Sequence, residues 1–485
     1  MINLVLHHEL VTKNKTPKYQ APPPEVSDLN EAKMLIQELW EQLRHYEDKL
    51  STSSRNSSKS PSSDTPRDRH ERKKDESSGG RNSRGAKEGH TGHQRKLSPL
   101  KETDVVIDCF PESCPCCAQS DIEVQGGPYY RHQVFDIPKP TVDITEYRLF
   151  SGQCRHCKEI VKAEKPENVP QGIIGSNLLS YIGVLAGQYH LSIRKIQSLL
   201  KEQFGTTFSV GAISEAQTKV ASMLTPLHQA IKQALKKAPL IHADETSHHR
   251  NDEQSLRWCW LIASDDLVYE QILYSRSASS AKKLIDEGYA GIVVSDQCPS
   301  YNWIAADRHQ LCWAHIKRNL QQMADYSGGG YTAYIGSHLC LLTNALFHTR
   351  HRYEQGELDY SLYLRRMHRL QKSFEHWLTK GTDVMVKRYR GRCKLLIKHK
   401  ESLWVFLKQT SIPLTNNEAE RCLRGFVIQR KISFGTTSDA GDKFRSRIHT
   451  VIETCKKRGL SAMSVLAEII SSVIEKKPYP NVFDL

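Results

Sequence analysis

The sequence predicts an α/β protein, and three observations carry that prediction. Four short runs between residues 238 and 296 read as β-strands, three in succession and a fourth after a helix. Across residues 321–409 the apolar spacing is helical, so a helical segment interrupts the strand-bearing core. Ahead of both lie a heptad repeat and two C-x-x-C pairs, which are additions to such a core. With 485 residues the chain has room for about three domains at roughly 150 residues each.

Lys and Arg number 68 against 54 Asp and Glu, a net charge of +14, and a basic balance of this size favours a polyanionic partner. A transmembrane helix needs about 20 predominantly apolar residues. The best stretch, 178–191, is broken by Ser180, Tyr181, Gln188 and His190, so no membrane span is expected. The first residues lack a basic flank, a long apolar run and a small-residue cleavage site, which points to a cytoplasmic protein. In that reducing compartment the 13 cysteines, where paired closely, read as metal ligands before disulfides.

Residues 28–50 carry Leu29, Ile36, Leu43 and Leu50 seven apart, with Ala32, Leu39 and Tyr46 completing an a/d seam. This predicts a coiled coil, hence a homo-oligomer of at least two chains, with Asp28 and Glu31 as a capping box. A lone helix packed on its own protein has the same pattern. Residues 51–100 hold 12 basic and 6 acidic residues among Ser and Gly, too few apolar groups to fold, and predict a disordered basic linker.

Residues 103–165 contain Cys114 with Cys117 and Cys154 with Cys157, separated by strand-like segments such as 142–150. Two such knuckles place four thiolates around one structural Zn²⁺, a zinc ribbon. Cys116 lies inside the first knuckle and Cys109 outside both. Residues 170–236 are helical, with a break at Phe204-Gly205 and a new helix starting near Ser209. Helix, short turn, helix is the order of a DNA-binding helix-turn-helix, and equally of a plain packing module.

Residues 237–320 hold the strands. The run ending at Asp244 is followed by strand-like segments from Arg257 and from Leu267, then by helical spacing over 279–289 and a strand ending at Asp296. The order β-β-β-α-β is that of a ribonuclease H-like core. Residues 321–409 form the helical insertion, with Tyr363, Met367, Leu370, Phe374 and Trp377 on one face. Residues 410–450 complete the core with a helix carrying Glu418 and Glu420, and residues 451–485 form a helical tail. Thr415 and Glu418 have capping-box spacing, and two helical residues differ by about 200° in direction, so Glu420 is the glutamate left for chemistry. Asp244, Asp296 and Glu420 are oxygen donors suited to two hard divalent ions, Mg²⁺ or Mn²⁺, of the kind that drive in-line phosphodiester displacement.

Five ordered blocks make the pattern specific: His242-Ala-Asp-Glu-Thr246, Ser295-Asp-Gln-Cys-Pro-Ser-Tyr301, Cys312-Trp-Ala-His-Ile-Lys-Arg318, Asn416-Asn-Glu-Ala-Glu-Arg421, and Arg430-Lys-Ile-Ser-Phe-Gly435 with Asp439-Ala-Gly441. In sequence they resemble the signature of the insertion sequence 66 family of bacterial transposases. The resemblance implies a DDE transposase with a ribonuclease H-like catalytic domain, its acids falling on Asp244, Asp296 and Glu420, preceded by a leucine zipper and a zinc-binding region. It also implies a Cys-x-x-His motif, here Cys312 and His315, near the start of the insertion. These two are candidates for DNA-end handling, against the plain reading of a packed cysteine and a hydrogen-bonded histidine. Two features depart from the family: Cys298 stands where an aromatic is usual, and the Ser-rich linker is long.

Arg421, Arg424, Arg430 and Lys431 follow the glutamate and are candidates to neutralise phosphates, although Arg424 also has ion-pair spacing to Glu420. The expected activity is metal-dependent cleavage at the ends of a mobile element and transfer of the freed strands. The partners are double-stranded DNA, as terminal inverted repeats and target, and accessory proteins of the same element; the expected setting is the bacterial nucleoid. The rivals are an inactive or domesticated DNA-binding derivative and a ribonuclease H-like nuclease that cuts without joining.

Overall fold

The computed structural model describes residues 25–57, 64–66, 96–124, 126–138 and 140–485. It divides into two compact units, Met1–Arg72 with Ile292–Asn416, and Lys73–Gly291 with Asn417–Leu485. Most of the basic linker expected over 51–100 lies outside the described residues.

In the first unit, helix α1 (Leu29–Leu50) has the bounds that its heptads predict. Asp28 caps it, accepting from the amides of Asn30 at 2.7 Å and Glu31 at 2.8 Å. The capping box is displaced by one residue, because Glu31 reaches back to the amide and hydroxyl of Ser27 and not to Asp28. At the other end Asp48 is buried and receives Arg388 and the Ser327 amide. Arg55 and Asn56, just past the helix, both reach Asp325 at 3.2 Å.

The same unit contains a parallel strand pair, β6 (Ile292–Ser295) and β7 (His309–Leu311), with Val293 opposite His309. Helices α7 (Trp313–Ala324), α8 (Gly330–Glu354), α9 (Tyr360–Gly381), α10 (Lys387–Lys398) and the short α11 (Lys400–Leu403) follow. The predicted apolar face of α9 is real: Tyr363, Met367 and Phe374 are buried, and Trp377 stacks on His338 with ring centres 4.0 Å apart. Trp313 anchors this core, edge-on to Phe374 at 5.1 Å and donating to the Leu403 carbonyl at 2.8 Å. At Gly336 a β-carbon would lie 2.4 Å from the Ala324 backbone nitrogen, so α7 and α8 meet there only because the residue is glycine.

In the second unit the described residues of 103–165 form one hairpin, β1 (Ser151–Gln153) with β2 (Ile160–Lys162). The strand expected over 142–150 is not formed. Its large side chains, Ile144 and Phe150 among them, are exposed, and an extended segment with nothing to bury against has no reason to pair. Four helices follow: α2 (Ser176–Gly187), α3 (Ile193–Phe204), α4 (Val210–Met223) and α5 (Thr225–Leu235).

Strands β3 (Leu240–His248), β4 (Arg257–Ala263) and β5 (Val268–Leu273) form the predicted antiparallel meander. Helix α6 (Ala278–Leu284) comes next, shorter than the 279–289 expected, because Asp286 turns the chain by accepting from the Gly288 amide. The order β-β-β-α-β is thus realised along the chain. Helix α12 (Asn417–Ser433) lays Ala419, Cys422, Leu423 and Phe426 on Cys259, Leu261, Ala263 and Val268 of the meander. Helix α13 (Asp439–Arg458) runs through the boundary expected at 450, and α14 (Ala462–Ile474) follows.

The outer strand β5 would offer free amides to another chain. Helix α13 closes them with hydroxyls one turn apart. Ser446, Thr450 and Thr454 accept from the amides of Ile272, Glu270 and Val268 at 3.1, 2.9 and 3.1 Å.

Candidate active site

Asp244 lies on β3 directly opposite Leu261. Paired residues on antiparallel strands share a face, and Leu261 is buried under α12, so Asp244 projects toward that helix. Glu245 projects to the other face, where it is buried and held by Arg276, whose guanidinium also lies 4.9 Å from the Trp258 ring centre. Of the two adjacent acids, only Asp244 therefore shares a face with the glutamate helix. It is half-buried, and its own carboxylate accepts from the Glu245 amide at 2.9 Å.

Glu420 stands in the first turn of α12, next to the buried Ala419, and is also half-buried. Glu418 points elsewhere and is clasped by Lys457 and by Arg421 at 2.7 Å. Burial acts to raise its pKa, but Lys457, Arg421 and His242 outweigh this and hold the carboxyl below its usual range. The long-range partner Lys457 was not foreseen from the capping-box spacing.

Asp296 belongs to the other unit, immediately after β6. Its carboxylate accepts from the Cys298 amide at 2.8 Å, closing a turn that runs into the helical turn Pro299–Tyr301. Just before it, the Ser295 hydroxyl meets His309 Nε2 at 2.7 Å, tying β6 to β7. Cys298, where an aromatic was expected, is buried. Cys312 is fully buried at the start of α7, and its sulfur accepts from the Asn416 amide at 3.1 Å. Burial, with Arg318 nearby, lowers His315 to about 4, so it is neutral at physiological pH.

The four basic candidates fare differently. Arg430 is turned to β3, donating to Thr246 Oγ1 at 2.9 Å and Ser247 Oγ at 2.8 Å, and so holds the strand that carries Asp244. Arg421 pairs with Glu418. Arg424 is exposed and, among the described residues, has no carboxylate within 4 Å, so the ion pair that its spacing to Glu420 allowed is not made. Lys431 is exposed.

A buried ionic cluster that the sequence reading missed braces the far end of β3. Asp442 accepts from Arg250 at 2.9 Å, from Arg257 at 2.7 Å and from Thr436, with His248 at 3.3 Å. His248 in turn lies 5.5 Å from the Phe426 ring centre on α12. The pairing of β3 with β4 sets His248 opposite Arg257, and α13 brings Asp442 to them from some 185 residues away, so no local spacing announces the cluster.

The two cysteine pairs adopt the same turn. In each, the residue after the second cysteine, Ala118 or Lys158, has a positive φ of 58° or 61°, and its amide bonds to the carbonyl of the first cysteine. Backbone amides of Cys116 and Cys117 lower the pKa of Cys114, and those of Cys157 and His156 lower that of Cys154. Such turns prepare thiolates for a metal. Among the described residues, no three of the four sulfurs of Cys114, Cys117, Cys154 and Cys157 lie within 4.8 Å of one another.

Helices α3 and α4 are joined as the sequence predicts. Gly205 ends α3 with φ 66°, Ser192 and Ser209 cap the two helices, and Gln197 donates to the Phe208 carbonyl at 2.6 Å, pinning the turn.

Residues 171–443 match the family described as Transposase IS66 family, a span that includes Asp244, Asp296 and Glu420. Residues 21–96 match a family of unknown function, DUF6444. Two Sinorhizobium fredii proteins, y4hP and y4qI, both described as uncharacterized, are similar over 418 residues. The first is 23% identical, across 80% of this chain and 74% of its own. The second is 20% identical, across 81% and 75%. A third protein of that organism, y4jO, is 41% identical over 73 residues, which is 15% of this chain and 23% of its own.

Proposed function

The chain belongs to the insertion sequence 66 family of transposases, and from that premise we propose that it cuts the ends of its mobile element and joins them to target DNA. The family implies use of a divalent metal. Asp244, Asp296 and Glu420 would hold two Mg²⁺ or Mn²⁺ ions in a ribonuclease H-like, DDE-type site. The single observation that best supports this is that Asp244, and not Glu245, shares a face with the helix carrying Glu420. The donors are all carboxylate oxygens, and the two in this unit are half-buried, which suits hard cations. Bound there, such ions activate an attacking oxygen and stabilise a leaving one.

The same three carboxylates serve both steps. In cleavage a water oxygen bonds to phosphorus, the bond to the 3′ oxygen breaks, and a 3′-hydroxyl is freed. In joining, that hydroxyl attacks a target phosphorus and the target strand breaks, so no bond between protein and DNA is required. Arg430 keeps β3 and its aspartate in place, while Arg424 and Lys431 remain candidates for phosphate contact.

The remaining parts would recognise and assemble DNA ends. The a/d residues Leu29, Ile36, Leu43 and Leu50 are 59–86% exposed, which supports a coiled coil between copies of this chain over a helix packed on itself. The paired knuckle turns support one structural Zn²⁺ held by Cys114, Cys117, Cys154 and Cys157, and α3 with α4 supports a helix-turn-helix. Among the described residues no helix is long and apolar enough to cross a membrane. A nucleoid-associated bacterial protein that works with accessory proteins of its element fits this reading.

The test is cleavage and joining of a labelled duplex carrying the element's ends, in Mg²⁺, with those accessory proteins present. Strand-transfer product supports the transposase. Cleavage without joining would identify a nuclease, and binding without cleavage an inactive DNA-binding derivative.

A further inference from the structure

The net charge of +14 is unevenly spread. The linker at 51–100 carries +6, and residues 321–409, with fifteen basic and seven acidic residues, carry the other +8, so the rest of the chain sums to zero. Of the folded segments, the helical insertion therefore carries the largest share of the positive charge.

That charge is arranged on helix faces. On α9, Arg365, Arg369 and Lys372 are exposed and lie within about 60° of one another at 100° per residue, opposite the buried Tyr363, Met367 and Phe374. On α10, which packs against α9, Lys387, Lys394 and Lys398 form a second exposed stripe, about 40° wide. Among the described residues none of these six has a carboxylate within 4 Å. By contrast, Arg350, Arg352 and Arg388 of the same unit are paired with Glu354, Glu357 and Asp48. Like charges three and four apart on a helix repel, so the stripes weaken the helices that carry them.

A glycine adds an independent mark. Gly391 sits in the interior of α10 on the lysine stripe, where glycine disfavours the helix. A β-carbon there would meet nothing within 4 Å, so the packing of the protein does not require its absence. Removing a side chain from the middle of a basic exposed face lets another backbone come close.

We propose that the α9–α10 face of the insertion is a double-stranded-DNA surface that binds phosphates without reading sequence. It deepens the reading of the chain as a DNA-processing enzyme and rests on it. Unpaired guanidinium and ammonium groups on a stripe match the regular phosphates of a duplex, and each contact releases counterions.

The test uses the full chain without added Mg²⁺ and a labelled duplex of arbitrary sequence, with affinity read by anisotropy between about 50 and 200 mM salt. Arg369→Gln with Lys372→Gln should reduce the slope of log affinity against log salt by about 2, at roughly 0.9 per contact. Arg352→Gln with Lys408→Gln removes the same charge from residues engaged by Glu357 and Asp307, and should leave the slope unchanged. Gly391→Ala should raise the melting temperature yet weaken binding. Wild-type slope and affinity in the α9 variant would overturn the proposal while leaving end cleavage standing. An equal loss in the control pair would also overturn it, since bulk charge would then suffice. Absence of duplex binding by the wild type would overturn both readings.

Discussion

Thr450 accepts the amide of Glu270 at 2.9 Å, at the centre of the hydroxyl series by which α13 closes the outer strand β5. Both groups are buried, so the bond cannot be replaced by water. Thr450→Val keeps the shape and removes the acceptor. It should cost about 1–3 kcal/mol in denaturant unfolding, while Thr450→Ser should recover most of that. Equal stability of the valine variant would show that the strand amide finds another partner.

Asp442 sets an acid limit on stability. Burial acts to raise its carboxyl, but His248, Thr436 and Arg257 outweigh this and bring it down to about 2. An unfolded aspartate titrates near 3.9. The native state therefore gains stability from this group that is complete above about pH 4 and is lost as the pH falls through about 2, on the order of 2 kcal/mol. Asp442→Asn should be markedly less stable at neutral pH, and its deficit should shrink between pH 4 and pH 2, roughly the span between those two pKa values. A deficit independent of pH would contradict the assignment.

The exposed a/d seam of α1 predicts self-association. Ile36→Asp with Leu43→Asp should convert the chain to a monomer in sedimentation or light scattering, with the melting of the remaining domains unchanged. A wild-type chain that is already monomeric at micromolar concentration would remove the coiled coil from the account.

The knuckle turns predict which cysteines hold metal. Wild type should carry one zinc per chain by elemental analysis. Cys114→Ser or Cys154→Ser should abolish it, and Cys116→Ser should retain it. Zinc lost in Cys116→Ser alone would reassign the first knuckle.

Where structure follows from near neighbours, the sequence was a good guide. The heptads of α1 mark its first and last residues, Gly205 and Ser209 mark the turn between α3 and α4, and the β3–β5 meander has its expected strands. The segment 142–150 misled because alternating apolar residues signal a strand only when another strand or a core receives them. Glu418 illustrates the other limit: its partner Lys457 is 39 residues away, and only the packing of α12 and α13 brings them together. The same holds for Asp442 with Arg250 and Arg257. Arg430, a phosphate candidate by its place after the glutamate, also reaches Thr246 and Ser247 of β3, contacts that its position in the sequence does not announce. The charge of the insertion was present in the sequence, but a total over the whole chain conceals where it lies.

Glu418 and Glu420 provide the most direct test of the central claim, because they are two residues apart and only one is assigned to chemistry. The measurement is Mg²⁺-dependent cleavage and joining of element-end DNA by Glu420→Gln and Glu418→Gln beside wild type and Asp296→Ala, with DNA binding measured in parallel. Glu420→Gln and Asp296→Ala should bind DNA normally and lose cleavage and joining together, by about 100-fold or more, some 2.7 kcal/mol of barrier. Glu418→Gln should stay active while melting at a lower temperature, having lost Lys457 and Arg421. Activity that survives in Glu420→Gln and disappears in a folded Glu418→Gln would contradict the account.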